Sequence, residues 1–332
     1  MITQALTGIR VVEVTTYIPG PICGRMLAAM GASVTKIERP GGDPMRSLPP
    51  LGPDGISPMY APLNAGKTVI ELDLKAPADT ERLGELLTGA DILIDGLRPG
   101  ALERMGFGSD HLHAVNPGLI ICTISAFGLQ GPDAARAGHD LNLAALSGLL
   151  AMTTVDGTPA MPGAQLADMI SGMTATAAIL AALQSRSRDG GGALLDASMA
   201  SAARWLMAPW YAVARAGVAL PADRPHELNG VQACYRIYRT ADNRHLAVAA
   251  LEPHFWARFC HAIDRPDLIA DHLNPAAQPA LIDAVQQAIT QYDLAHWTTI
   301  FNEVEACISP ILHMEEAAPD TTVDLRLPVR QL

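Results

Sequence analysis

The sequence predicts an α/β fold, a parallel sheet covered by helices and followed by a smaller α+β unit. Three observations lead there. Short apolar runs of strand length alternate with helical spacing through the first third of the chain. Glycine and proline punctuate the ends of these runs. Beyond residue 233 the pattern changes to two strand-like runs around a turn, then helices.

Residues 9–14 form a continuous apolar run of the kind a doubly covered parallel strand shows. Residues 22–30 have helical spacing and stop at Gly31, a C-terminal cap. Residues 33–38 are the next strand, ended by Pro40-Gly41-Gly42. Further strands are predicted at 69–72, 91–95 and 119–123, with helices near 77–87 and 100–105. Apolar helices follow at 141–151 and 169–184, joined by a loop carrying Gly157, Pro159, Pro162 and Gly163. Asp189-Gly190-Gly191-Gly192 is turn chemistry, residues 198–218 read as one long helix, and 220–230 as a linker. Thr240-Ala241-Asp242-Asn243-Arg244 joins a predicted hairpin of 234–239 with 245–250. Helices are predicted at 254–263, 279–292 and 294–304. The expected division is 1–219, 220–312 and a short C-terminal segment, 313–332.

The 332 residues are 49% hydrophobic and only 17% charged, so a large core is available. A net charge of −11 without a long basic run argues against nucleic-acid binding. Cys23, Cys122, Cys234, Cys260 and Cys307 are odd in number and form no CxxC pair, which points to reduced thiols, a cytoplasmic location and no zinc site. The first ten residues lack a secretory pattern. The most apolar span, 169–183, is shorter than the about 20 residues a membrane crossing needs, so no membrane is expected.

A strand, turn, helix and strand ending in an acidic residue, Glu38, suggest dinucleotide binding. The turn, Tyr17-Ile18-Pro19-Gly20-Pro21-Ile22-Cys23-Gly24, does not match G-x-G-x-x-G and argues against it. Anion binding is better supported. Arg39 follows the second strand, Lys67 and Lys75 bracket the third, and Arg98 with Arg104 flanks a helix start. Each taken singly is also explained as a solvated cation. Gly138-His139-Asp140-Leu141-Asn142 places a histidine at the start of an apolar helix, and Asp168 precedes another. Asp140 and Asp168 have a capping explanation, as does Glu252 before Pro253, whereas His139 has none. Met152, Met161, Met169, Met173 and Met207 fit ordinary packing better than an adaptable acyl surface.

An ordered series of segments resembles the family III CoA-transferase superfamily, on its α-methylacyl-CoA racemase branch. The series includes Leu6-Thr7-Gly8-Ile9-Arg10-Val11-Val12-Glu13, Lys36-Ile37-Glu38-Arg39-Pro40 and Leu97-Arg98-Pro99-Gly100-Ala101-Leu102-Glu103-Arg104-Met105-Gly106. It continues with Gly138-His139-Asp140-Leu141-Asn142, Leu166-Ala167-Asp168 and Ala250-Leu251-Glu252-Pro253-His254-Phe255. The resemblance implies a large Rossmann-like domain, a smaller α+β domain and an interlocked homodimer with an active site shared between subunits. It places His139 and Asp168 on the acid/base pair, and Glu252 on a carboxylate that supports the histidine. It places Arg39, Leu72, Asp73, Leu74, Lys75, Gly96, Leu97, Arg98, Arg104, Gly138, Asp140, Leu141, Asn142 and Leu143 on CoA contacts. Met169-Ile170-Ser171-Gly172 stands where the family often has a glycine-rich run.

The expected reaction is 1,1-proton transfer at the α-carbon of a 2-methylacyl-CoA thioester, through an enolate, with no metal or separate cofactor. A histidine, ordinarily titrating near ~6.5, suits the base; an aspartate, ordinarily near ~3.9, needs burial to serve as the acid. Two alternatives remain at this level. One is CoA transfer with Asp168 as nucleophile, and the other is a non-catalytic acyl-CoA-binding protein.

Overall fold

The computed structural model describes residues 4–155, 157–218 and 227–318. The chain divides into two compact units, one built on Met1–Thr153 and Ala160–Val213, the other on Thr154–Pro159 and Ala214–Asp320.

The first unit begins with β1 (Arg10–Val14), α1 (Pro19–Ala29), β2 (Ser33–Glu38), α2 (Tyr60–Asn64) and β3 (Thr68–Glu71). It continues through α3 (Pro77–Thr88), β4 (Ile92–Asp95), α4 (Ala101–Arg104), α5 (Ser109–Val115) and β5 (Ile120–Ser125). The helices α6 (Asp140–Leu146) and α7 (Leu149–Met152) follow. In chain order a small hairpin of the second unit, β6 (Thr154–Val155) and β7 (Thr158–Pro159), precedes the first unit's α8 (Leu166–Asp189) and β8 (Ala193–Ser198). Then come α9 (Met199–Leu206) and α10 (Ala208–Arg215).

The sheet order is β3-β2-β1-β4-β5-β8, all parallel. This is the doubly wound order in which the chain reverses direction between β1 and β4. The two-residue strand period splits the apolar side chains between two faces. Val11, Ile92, Ile94, Ile120 and Cys122 pack with Cys23 and Leu27 of α1 and with Ala175 and Ile179 of α8. Val12, Val14, Leu93 and Ile121 pack with Leu83 and Leu87 of α3 and with Leu112 of α5. Burial on both faces explains why the strand sequences are nearly continuously apolar.

Several boundaries differ from expectation. Helix α1 starts at Pro19, three residues early, because proline fits the first turn. The helix expected at 141–151 is two, parted at Ser147-Gly148, where Gly148 is left-handed (φ 82°). The helix expected at 169–184 runs over 24 residues, which is long enough to span a bilayer; Ala167, Ala175 and Ile179 lie in the core beside α1. The long helix at 198–218 is divided at Met207. Strand β8 was not expected; its sequence, Ala193-Leu194-Leu195-Asp196-Ala197-Ser198, has no β-branched residue.

In the second unit, β9 (Tyr235–Arg239), β10 (His245–Ala249) and β11 (Ile308–Pro310) make an antiparallel sheet. The expected hairpin is present, with Asn243 left-handed in its turn, and β11 adds a third strand. Helices α11 (Pro253–Ala262), α12 (Gln278–Ile289) and α13 (Leu294–Glu303) lie near the expected positions, and α14 (Met314–Ala317) ends the described chain. Trp256, Phe259, Tyr238 and Trp297 fill this core. The polar atoms of the two tryptophans are satisfied by the carbonyls of Leu268 and Ile289. Of the expected linker, 220–226 lies outside the described residues, as does 319–332 of the expected C-terminal segment.

Gly172 fixes how closely α8 approaches α1, because a Cβ there would overlap Ile22 Cγ2 and the Pro19 carbonyl. Gly172→Ala is expected to destabilise the fold by about 2 kcal/mol through overpacking. Gly163→Ala, where a Cβ meets nothing within 4 Å, is expected to be near neutral. Urea unfolding of the two variants beside the wild type checks both.

Candidate active site

The reversal between β1 and β4 opens a crevice at the carboxyl ends of the strands, the usual ligand position in such sheets. Thr15, Thr16, Tyr17, Pro19 and Gly20 follow β1 and residues 96–99 follow β4, and together they line a cavity of ≈ 460 Å³. Its other walls include Arg98, Arg104, Arg136, Gly138, His139, Asp168 and Met199. A second cavity of ≈ 340 Å³ is lined by Arg39, Leu72, Asp73, Leu74 and Lys75. Thr15, Thr16, Gly96 and Leu97 border both, so the two adjoin. Ten of the expected CoA-contact residues line this trough together with His139 and Asp168: Arg39, 72–75, Gly96, Leu97, Arg98, Arg104 and Gly138.

His139 stands immediately before α6, where the chain returns from the end of β5. The return is close, since a Cβ on Gly138 would lie 2.6 Å from Ala126 Cβ. The His139 backbone N–H donates to Asn142 Oδ1 at 2.7 Å, which fixes the start of α6. The Tyr17 ring meets the imidazole edge-to-face, with centroids 6.2 Å apart and planes at 88°.

Asp140 does not cap α6, as its sequence position suggested, but reaches across to α8. Its Oδ1 accepts the N–H of Ala167 at 2.6 Å and of Asp168 at 3.2 Å. Gln165, at the cap position of α8, makes no side-chain capping bond, and Asp168 lies inside the first turn rather than at the cap. One carboxylate from 27 residues away thus supplies a local cap's bonds.

Asp168 is only 8% exposed, and its Oδ1 is buried with no hydrogen-bond partner. Burial first, and then the nearby Asp140 carboxylate, push its pKa up to about 7. The acid therefore holds its proton much further toward neutral pH than an ordinary aspartic acid. Asp95 ends β4 and is raised to about 6 by burial, against opposing bonds from the Leu97 N–H and Thr123. Its Oδ1 accepts the Leu97 N–H at 2.9 Å and so shapes the turn that carries Gly96, Leu97 and Arg98.

Other expected residues lie elsewhere. Lys67 is not available to an anion. Its side chain is fully buried, 2.8 Å from Glu13 Oε2, and its ammonium also donates to the Pro21 carbonyl. Glu38 accepts bonds from Tyr60 and Arg46 rather than facing the trough. The helix after Arg98 has a single turn, too short for a substantial dipole. Leu143 is buried in the core, Leu141 is 47% exposed, and neither they nor Asp140 and Asn142 line the cavities. Of the methionines, Met199 lines the His139 cavity and the five considered from sequence do not. Glu252 lies in the second unit at the cap position of α11, yet its side chain makes no capping bond there. The capping explanation for it is therefore removed.

Sequence reasoning missed the turn from Thr15 to Gly20 as a wall, together with Arg136. The turn was legible as the one after the first strand of a doubly wound sheet. Arg136 sits over the Phe127 ring at 4.8 Å and pairs with Asp133, and had no sequence signal. Among the described residues, no group of three His, Cys, Asp or Glu side chains is placed to hold a metal.

Fold and site define an α/β protein with a doubly wound sheet, a cation-bordered trough at its switch point, and a histidine and a proton-retaining aspartate facing one cavity. The chain belongs to CoA-transferase family III, whose family model matches residues 6–331. It is 32% identical to human alpha-methylacyl-CoA racemase, over 94% of this chain and 79% of that protein. It is 33% identical to a probable fatty acyl-CoA transferase of Mycobacterium tuberculosis, over 81% of this chain and 71% of that one. The crystal structure of a CaiB/BaiF family protein from Brucella suis superposes with a TM-score of 0.83 at 25% identity, covering 96% of this chain and 87% of that one.

Because its folded-state pKa is raised, Asp168 opposes folding as pH rises. Below about pH 4 both folded and unfolded chains carry the proton; from there to about pH 7 only the unfolded chain loses it. Asp168→Asn is therefore expected to gain stability relative to wild type between pH 4 and pH 8, by on the order of 3 kcal/mol. Denaturant melts at the two pH values measure the difference.

Proposed function

We propose that the protein is a racemase of 2-methylacyl-CoA thioesters, inverting the α-carbon by 1,1-proton transfer. The observation that carries this reading is the pairing of His139 with a proton-retaining Asp168 in one cavity. The thioester carbonyl acidifies the α-hydrogen. Neutral His139 removes it from one face to give an enolate, and protonated Asp168 delivers a proton to the other face. The product is the opposite enantiomer, with His139 now protonated and Asp168 ionised, which is the starting state for the reverse reaction. Positioned acid/base groups of this kind contribute about 10²–10⁴-fold each.

The substrate's CoA portion has a matching environment. Arg39 and Lys75 border the second cavity and Arg98, Arg104 and Arg136 the first, so phosphate groups along the trough meet cations. Leu72, Leu74 and Met105 supply apolar wall beside them. Thioester and acid/base groups supply the chemistry, and the reading requires no metal or redox cofactor. It includes a cytoplasmic homodimer with an active site shared between subunits, with Glu252, free of a capping role, as the carboxylate supporting His139.

CoA transfer is the second reading. Asp168 carries an unpartnered Oδ1, which suits a nucleophile as well as an acid, and the family contains transferases. Transfer requires the ionised form, and burial disfavours that form here. His139 also has no proton to move in such a reaction.

The test is proton NMR in D₂O with 2-methylacyl-CoA esters. Deuterium is expected at the α-carbon with wild type and is expected to be lost in His139→Ala and in Asp168→Ala. Hydroxylamine trapping of Asp168 during turnover, without α-exchange, would instead establish transfer. CoA binding with neither reaction would identify a binding protein.

A further inference from the structure

We propose that Tyr17 is a positioning residue for the His139 imidazole, held in place by the buried Lys36–Asp43 ion pair; its catalytic consequence rests on the proton-transfer reading above. Tyr17 is one of four described non-glycine residues with positive φ, at 64°. A bulky side chain in that region is sterically unfavourable and persists only where the surroundings enforce it. Such enforcement is visible on both sides of the residue. Asp43 Oδ1 accepts the Tyr17 N–H at 3.3 Å and also the Met45 N–H at 2.9 Å. Lys36 Nζ donates to the Thr15 carbonyl at 3.2 Å and to Asp43 Oδ2 at 2.9 Å.

Lys36 is completely buried, and its ammonium also approaches Glu13 Oε1 at 3.3 Å. An ammonium without water and with three fixed oxygen partners has little freedom to move. The Thr15 carbonyl is therefore tethered to the same carboxylate that tethers the Tyr17 N–H. This closes a ring around the turn and directs the tyrosine ring toward the cavity.

There it meets His139. The imidazole's own backbone is fixed by Asn142, but its side chain is exposed. The edge-to-face Tyr17 contact confines ring rotation from one side. Tyr17, His139 and Asp168 all line the same cavity. A base whose ring turns freely spends much of its time unable to reach the α-hydrogen, and small misplacements of a reacting group are costly in rate.

The experiment combines ring resonances with kinetics. The His139 ring signals are identified by their absence in His139→Ala. Tyr17→Gly removes the ring while also relieving the positive-φ strain, so it keeps the fold. It is expected to move the His139 signals and to lower the saturated rate of α-deuteration by about 10-fold, with KM changed by less than about 3-fold. Tyr17→Phe is expected to restore both, since the phenyl ring makes the same edge contact. Asp43→Asn, which keeps the Oδ1 acceptor but loses the ion pair, is expected to fall between. Unmoved His139 signals in Tyr17→Gly overturn the proposal, as do moved signals with an unchanged rate. If the wild type exchanges no α-hydrogen but the His139 ring signals change in width as well as position, beyond the shift that loss of the tyrosine ring current produces, positioning stands and the proton-transfer reading fails.

Discussion

The site depends on the two bonds that Asp140 Oδ1 accepts from the start of α8. They join the N-termini of α6 and α8, and His139 and Asp168 are each adjacent to one end of that junction. His139 precedes Asp140 in sequence, and Asp168 supplies one of the two N–H groups. Without this carboxylate the first turn of α8 would have unfilled donors and would lose its hydrogen-bonded tie to α6. The capping contribution is about 1 kcal/mol, modest as stability. Its geometric effect is larger, because it places an imidazole and a carboxyl group at one cavity. Second to burial, the same charge also disfavours ionisation of Asp168, so one side chain both positions that carboxyl group and raises its pKa.

Behind the cavity lies a second polar assembly with a different balance of effects. Glu13, Lys36, Lys67 and Asp43 are buried with at least one ion pair each. Dehydrating four charges costs several kcal/mol per ion, and pairing in a low dielectric roughly offsets it, so such a cluster is weak evidence for stability. Its value is conformational. Lysine donors reach the carbonyls of Thr15 and Pro21, at the two ends of the turn that forms the cavity wall. Gly20 and Gly24 permit the same close approach, since a Cβ at either would overlap Thr15 or Glu13. Apolar residues could fill this volume but could not grip backbone carbonyls.

Much of this architecture was legible in the sequence because the sheet is covered on both faces. Runs such as Val11-Val12 and Ile92-Leu93-Ile94 must be apolar on every residue, which marks them as parallel strands. Strand β8 escaped because its pairing with β5 comes from position rather than from β-branched side chains. Among the positions on strand-end turns, Arg39, Lys75 and Arg98 were legible as cations after successive strands, whereas 72–74, Gly96 and Leu97 were indicated only by the family resemblance. Long-range polar bonds were not. Asp140 has the sequence signature of a local cap and serves a helix 27 residues on. Lys67 has the signature of a surface cation at a strand end and is buried against Glu13. Periodicity reports which face a residue occupies, and it carries no information about which distant partner completes its hydrogen bonds.

The environment of Asp168 also constrains how one site could serve two opposite faces of a carbon. A racemase alternates between a neutral pair, His139 with protonated Asp168, and a charged pair, imidazolium with carboxylate. Burial alone favours the neutral pair, and Asp140 adds to that preference. An Asp168 pKa pushed up to about 7 by burial and Asp140 leaves both its forms accessible at neutral pH. Under the racemase proposal, an acid with both forms accessible would leave neither state a deep trap. A fully solvated aspartate would leave the acid form scarce, and a completely enclosed one would block the return. On the racemase proposal, the burial of Asp168 at the first turn of a helix capped from elsewhere lies between these two extremes.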